Sequence, residues 1–102
     1  MRDIQAMPPG ELLDMEFLKP FGISRYRLAK EIGVSQLRIS EIVNGKRAIT
    51  ADTDLRLARF FGLSDGYWLR AQVVHDTEVA REKMRDVLVG IKQWRPKEPS
   101  SV

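Results

Sequence analysis

The sequence contains no cysteine and a single histidine among its 102 residues. Without thiols there is no disulfide framework, no thiolate ligand and no thiol nucleophile. His75 stands without further histidines or a gathered set of carboxylates, so it reads as a surface or helix-end residue rather than a metal ligand. No apolar run approaches the roughly 18 residues that a membrane span needs. The first residues form no charged-then-apolar leader, because Pro8, Pro9 and Glu11 interrupt them. These absences lead to the expectation of a soluble, cytoplasmic protein with no membrane contact, metal or cofactor. A Ser/His/Asp set, paired acids and a glycine-rich phosphate loop are all missing, which argues against an enzyme or nuclease. Gly62 and Gly66 mark a corner between helices. Strand patterns are scarce, so an aromatic-bearing RNA-binding sheet is disfavoured as well.

What is present is an ordinary globular composition, 43% apolar, in a chain long enough to bury one modest core. The expectation is a single domain over residues 1–94, with a flexible tail at 95–102 where Pro96, Pro99 and two serines follow Arg95. The net charge of +3 is small, but it is unevenly placed. Residues 1–23 carry Arg2 and Lys19 against Asp3, Glu11, Asp14 and Glu16. Residues 24–47 carry Arg25, Arg27, Lys30, Arg38, Lys46 and Arg47 against only Glu31 and Glu41, a net of +4. An anionic partner would meet such a window, and a solvated basic helix face would have the same composition.

Breakers and caps divide the chain into helices, giving an all-α class of five to six helices. Pro8 and Pro9 suit the first turn of a helix, Leu12, Leu13, Phe17 and Leu18 give it an apolar side, and Pro20 is expected to stop it. Ser24 caps a second helix with Leu28, Ala29 and Ile32 inward and Gly33 closing it. Ser35 caps a third with Ile39, Ile42 and Val43 inward, ending at Asn44-Gly45. Thr50 and Gly62 bound a fourth helix. Ser64 is expected to start a fifth, containing Tyr67, Trp68 and Leu69, with Tyr67 and Trp68 as core residues. A sixth, C-terminal helix is expected at about 78–93.

The joint between the second and third helices carries the functional argument. Only Gly33-Val34-Ser35 separates two short amphipathic helices, which matches a helix-turn-helix with its reading unit at 24–44. Leu28, Ala29, Val34, Ile39 and Ile42 form the shared core. That phase leaves Gln36, Leu37, Arg38, Ser40 and Glu41 on the outer side of the third helix, the side that enters a major groove. A phase shifted by one residue would instead bury Leu37.

The run from Ser24 to Lys46 resembles the Cro/C1-type (Xre) helix-turn-helix through Leu28-Ala29, Gly33-Val34-Ser35, Ile39-Ser40 and Asn44-Gly45-Lys46. The flanks are more specific. Pro8-Pro9-Gly10-Glu11-Leu12-Leu13, Glu16 to Pro20, and Arg47 to Gly62 resemble HigA-type addiction-module antitoxins, with Trp68-Leu69 beyond. The resemblance covers roughly residues 7–75. It implies a homodimer that represses its own operon at a palindromic double-stranded operator and neutralises a small basic HigB-like messenger-RNA endonuclease toxin.

By that resemblance, the base-reading positions are Gln36, Leu37, Arg38 and Glu41. Glutamine can bond bidentately to adenine, and Leu37 can meet a thymine methyl. Arg38 reaches either guanine or a phosphate. Glu41 either accepts from cytosine N4 or pairs with Arg38 one turn away. Arg25, Ser35, Ser40, Lys46 and Arg47 are the phosphate candidates, with Ser35 first of all a cap. Met84, Val87, Leu88, Ile91 and Trp94 recur at helical spacing, either as a dimer interface or packed on the chain's own core. Asp3, Glu11, Asp14 and Glu16 have the sign a basic toxin prefers, and also the sign a helix start prefers. A stand-alone Xre-family regulator without a toxin is the alternative function.

Overall fold

In the computed structural model, which describes residues 7–97, six helices and no strand are found among the described residues. Helix α1 is composite, running as Pro9–Leu12, a π-helical stretch Leu13–Leu18, and Lys19–Phe21. It is followed by α2 (Arg25–Ile32), α3 (Gln36–Val43), α4 (Ala51–Phe61), α5 (Tyr67–Lys83) and α6 (Arg85–Val89).

Pro20 does not stop the first helix. It sits in the final turn, and the helix runs on to Phe21 before Gly22 ends it. A proline within an α-helix lacks its N–H and crowds the carbonyl four residues back. Here the preceding turn is widened: the Lys19 N–H donates to the Asp14 carbonyl five residues back, the π-helical register. Asp14 also pairs with Lys19 through their side chains at 3.2 Å.

The next three helices follow their local signals. Ser24, Ser35 and Thr50 each accept a hydrogen bond from the backbone N–H three residues on, at 3.0, 3.1 and 3.3 Å. Each therefore satisfies one of the free donors at a helix start. Gly33 closes α2 at φ 74°, a left-handed conformation that a side chain would strain, and so permits the sharp turn into α3.

Leu13, Leu28, Ile39, Ile42, Leu57 and Trp68 are fully buried and draw all the larger helices into one core. Phe17 packs its ring 4.9 Å from both Phe61 and Trp68, so the π-helical segment contributes the hub of an aromatic cluster. Val34 lies partly buried against this core.

Two contacts over long sequence separations fix the arrangement. The first is Gly10, where α1 crosses the end of α3 so closely that a Cβ would stand 1.8 Å from the Ile42 carbonyl oxygen. The second is Asp54 on α4, only 1% exposed. Its carboxylate accepts from the backbone N–H groups of Gly66 at 2.7 Å, Trp68 at 2.8 Å and Leu69 at 3.2 Å. The start of α5 has no capping side chain of its own, so Asp54 caps it from a neighbouring helix.

The C-terminal region departs from expectation. No proline or glycine occurs between Tyr67 and Lys83, and α5 continues through position 78 without a break. The break falls at Met84, and α6 ends at Gly90. Ile91 and Trp94 therefore lie beyond the helix and do not share one helical face with Met84, Val87 and Leu88. All five are exposed, so the chain's own core does not cover them. Of the expected acidic N-terminal set, Asp3 lies outside the described residues, as do residues 98–102 of the tail.

Gly10→Ala should destabilise the fold by about 1–3 kcal/mol or more, because backbone must move to admit the methyl group. Asp54→Ala should cost about 2–4 kcal/mol by leaving three backbone donors without their acceptor. Urea denaturation of each variant beside the parent measures both.

Candidate nucleic-acid interface

The turn at Gly33 directs the first turn of α3 outward. Gln36 is exposed, and Leu37 is 64% exposed, which fixes the helix phase and keeps Leu37 out of the core. Ile39 and Ile42 occupy the opposite face, 0% and 1% exposed, and anchor α3 on the domain. A short helix held by its apolar face, with a polar and a large apolar residue outward at its start, is the shape that reads base edges in a major groove.

Arg25, in the first turn of α2, is half-buried, and Ser40 is half-buried on α3. Ser35 is exposed and serves as the α3 cap. Lys46 and Arg47 are exposed in the loop after α3.

The charged members of this set are not equally available. Arg38 turns back from α3 to α4, its Nη1 lying 3.4 Å from Asp52 Oδ1 and 3.5 Å from Thr53 Oγ1. Its expected partner one turn on, Glu41, is engaged elsewhere: Arg47 donates to Glu41 Oε1 through Nε at 2.8 Å and Nη2 at 2.7 Å. Arg27 pairs with Glu31 at 3.6 Å. Arg25, Lys30 and Lys46 have no ion-pair partner among the described residues.

Several residues that shape the site escaped the sequence reading. Asp52 is shared by two guanidinium groups, since Arg56 Nε also lies 2.7 Å from its Oδ1. Arg56 then donates through Nη1 to the carbonyls of Ile32 at 2.7 Å and Gly33 at 3.3 Å, capping the end of α2. The hydrogen bond from Arg56, with the positive fields of Arg56 and Arg38, holds the Asp52 carboxyl below its ordinary value of 3.8, against the smaller opposing effect of desolvation. Gln72 on α5 clamps the loop after α3 from both sides: its amide donates to the Ile49 carbonyl at 2.9 Å and accepts from the Ile49 N–H at 2.6 Å. The i,i+4 spacing of Asp52 and Arg56 was a legible signal. Nothing in the local sequence connects Gln72 to Ile49.

His75 is half-buried on α5. Among the described residues no group of three or more His, Asp or Glu side chains is arranged to hold a metal ion. Trp68 is 0% exposed inside the aromatic cluster, which removes it from any surface on which bases stack.

The helix-turn-helix family matches residues 15–68 of the chain. Virulence-associated protein I of Dichelobacter nodosus is 45% identical over 85 residues, covering 83% of this chain and 79% of that protein. Antitoxin HigA-1 of Vibrio cholerae is 34% identical over 77 residues, covering 76% of this chain and 72% of that protein. Among solved structures, Pseudomonas aeruginosa antitoxin HigA with the higBA promoter superimposes with a TM-score of 0.77 at 33% identity, covering 85% of this chain and 96% of that one.

The Asp52 cluster gives a pH signature. Because its folded-state carboxyl is held below the unfolded value, its stabilising contribution is present above about pH 4 and is lost as pH falls through the lowered value. Asp52→Asn should therefore be less stable than the parent at neutral pH, and the difference should close under acid. Urea midpoints measured at pH 7 and below pH 3.8 provide the comparison.

Proposed function

The chain belongs to the HigA-type antitoxins of the helix-turn-helix family, and on that premise we propose that it is a sequence-specific DNA-binding antitoxin that represses its own operon as a dimer. The observation that carries the reading is the outward first turn of α3, with Gln36 and Leu37 free of the core and the unpaired Arg25 and Lys46 flanking the unit. Gln36 reads an adenine edge and Leu37 covers a thymine methyl. Arg25 and Lys46 hold the duplex by its phosphates and set the register.

Two copies related by a two-fold axis place two reading helices about 34–36 Å apart, one turn of the duplex, and so require a palindromic site. The exposed Met84, Val87, Leu88, Ile91 and Trp94 supply apolar surface for that association. The family is non-enzymatic. Silencing a HigB-like messenger-RNA endonuclease requires no catalysis by the inhibitor, only a surface that covers a basic RNA-cutting face. The acids of α1, Glu11, Asp14 and Glu16, have the sign for it. The site of action is the cytoplasm, where both operator and messenger lie.

Gln36→Ala should cost about 1–3 kcal/mol on operator and relax preference at one base pair. Lys46→Ala should weaken all sequences alike and reduce the salt slope by about one. Fluorescence anisotropy on operator and scrambled duplexes separates the two, and equal binding of operator and scrambled DNA by Gln36→Ala and parent would sink the reading face. Toxin silencing is tested by co-expression with the adjacent reading frame. A neighbour that is toxic alone and harmless beside this protein supports the antitoxin role. A neighbour that is harmless alone leaves a stand-alone regulator.

A further inference from the structure

Six cations lie in the reading unit and its following loop, yet three of them are held by carboxylates of the same chain. Two of these pairs involve candidate DNA contacts. Glu41, on the outer part of α3, takes both Nε and Nη2 of Arg47 on a single oxygen at 2.8 and 2.7 Å. Asp52, at the start of α4, holds Arg38 at 3.4 Å, with Thr53 Oγ1 at 3.5 Å beside it. In both, a carboxylate occupies the position that a phosphate oxygen would take on the guanidinium, since the two acceptors have similar geometry for arginine.

We propose that Glu41 and Asp52 are specificity-determining residues that act as internal phosphate mimics, keeping Arg47 and Arg38 from the backbone of non-operator DNA. This rests on the DNA-binding reading above. Binding to arbitrary sequence is almost wholly electrostatic and scales with the number of phosphates neutralised. An arginine already neutralised within the protein releases no counterion on contact, so it adds little to non-specific affinity. Such exposed ion pairs are weak, and a well-placed acceptor on the operator can displace the carboxylate. Arg25, Lys30 and Lys46 supply the general attraction, while Arg38 and Arg47 are committed only where the site matches. Asp52 can release Arg38 at little cost because Arg56, at 2.7 Å, remains to neutralise it. The same reading explains a glutamate on a DNA-facing helix. While Arg47 stays paired with it, Glu41 presents a neutral pair to non-operator DNA instead of a bare negative charge.

The test is a salt titration of binding to a random-sequence duplex and to the promoter duplex, using parent, Glu41→Gln, Arg47→Ala and the double variant Glu41→Gln/Arg47→Ala. Folding of each is checked by circular dichroism. Freeing Arg47 should steepen the random-DNA salt slope of Glu41→Gln by about 0.9, so that its affinity falls about threefold more than the parent's between 50 and 200 mM salt. Affinity for random DNA at low salt should rise, and the ratio of promoter to random affinity should fall. In the Arg47→Ala background the added Glu41→Gln change should leave the slope unmoved. Because Asp52 also neutralises Arg56, the second cycle, Asp52→Asn with Arg38→Ala, is run in an Arg56→Ala background and carries the same expectation. An increment that persists without the arginine means that only net charge was altered, and overturns the proposal. An unchanged slope in Glu41→Gln and Asp52→Asn also overturns it, while DNA binding by the parent keeps the reading of function intact. A parent that binds neither duplex overturns both.

Discussion

The carboxylate of Asp54 is the point on which the assembly depends. It is buried, and three backbone N–H groups at the start of α5 converge on it, so α5 begins where α4 dictates. That placement brings Trp68 into the core beside Phe17 and sets Gln72 four residues further on, over the loop that follows α3. A charge-assisted cap inside the protein resists exchange for water far better than an exposed one, because the competing solvent is excluded. The helix-turn-helix and the C-terminal half are thereby joined through hydrogen bonds as well as through apolar packing.

Much of the helix-turn-helix was legible because its signals are local. Ser24, Ser35 and Thr50 act within three residues of themselves, and Gly33 acts at its own backbone. The outward placement of Gln36 and Leu37 followed from the 3.6-residue period once Ile39 and Ile42 were assigned inward. The contacts that escaped are those whose partners lie far along the chain. Asp54 looks like one more acid in a helical first turn, and its buried role depends on Gly66 to Leu69. Arg38 was free to choose among guanine, phosphate and Glu41 in sequence, and in the fold it meets Asp52, fourteen residues away.

Boundaries failed for a different reason. Pro20 is a reliable breaker of α-helical hydrogen bonding, but the chain has a second register in which the preceding turn widens. The continuous α5 reflects propensity acting without a stop signal: Val73 to Thr77 contain β-branched residues and a histidine, but neither proline nor glycine. Beyond Lys83 the apolar residues no longer report a single face, because Met84 interrupts the helix and Gly90 ends it. Periodicity read across such a break joins residues that do not share one helical face.

The two tryptophans occupy opposite environments, and this gives the molecule two optical probes of its own. Trp68 is sealed in the aromatic cluster, its indole N–H without a hydrogen-bond partner among the described residues, whereas Trp94 is 79% exposed beyond α6. An indole shielded from solvent dipoles emits at shorter wavelength than one relaxed by water, so the two contributions separate along the emission spectrum. Quenching by a soluble ion reaches Trp94 and spares Trp68. The blue component thus reports the integrity of the core, and the red component reports whatever comes to cover the C-terminal segment, without any label being attached.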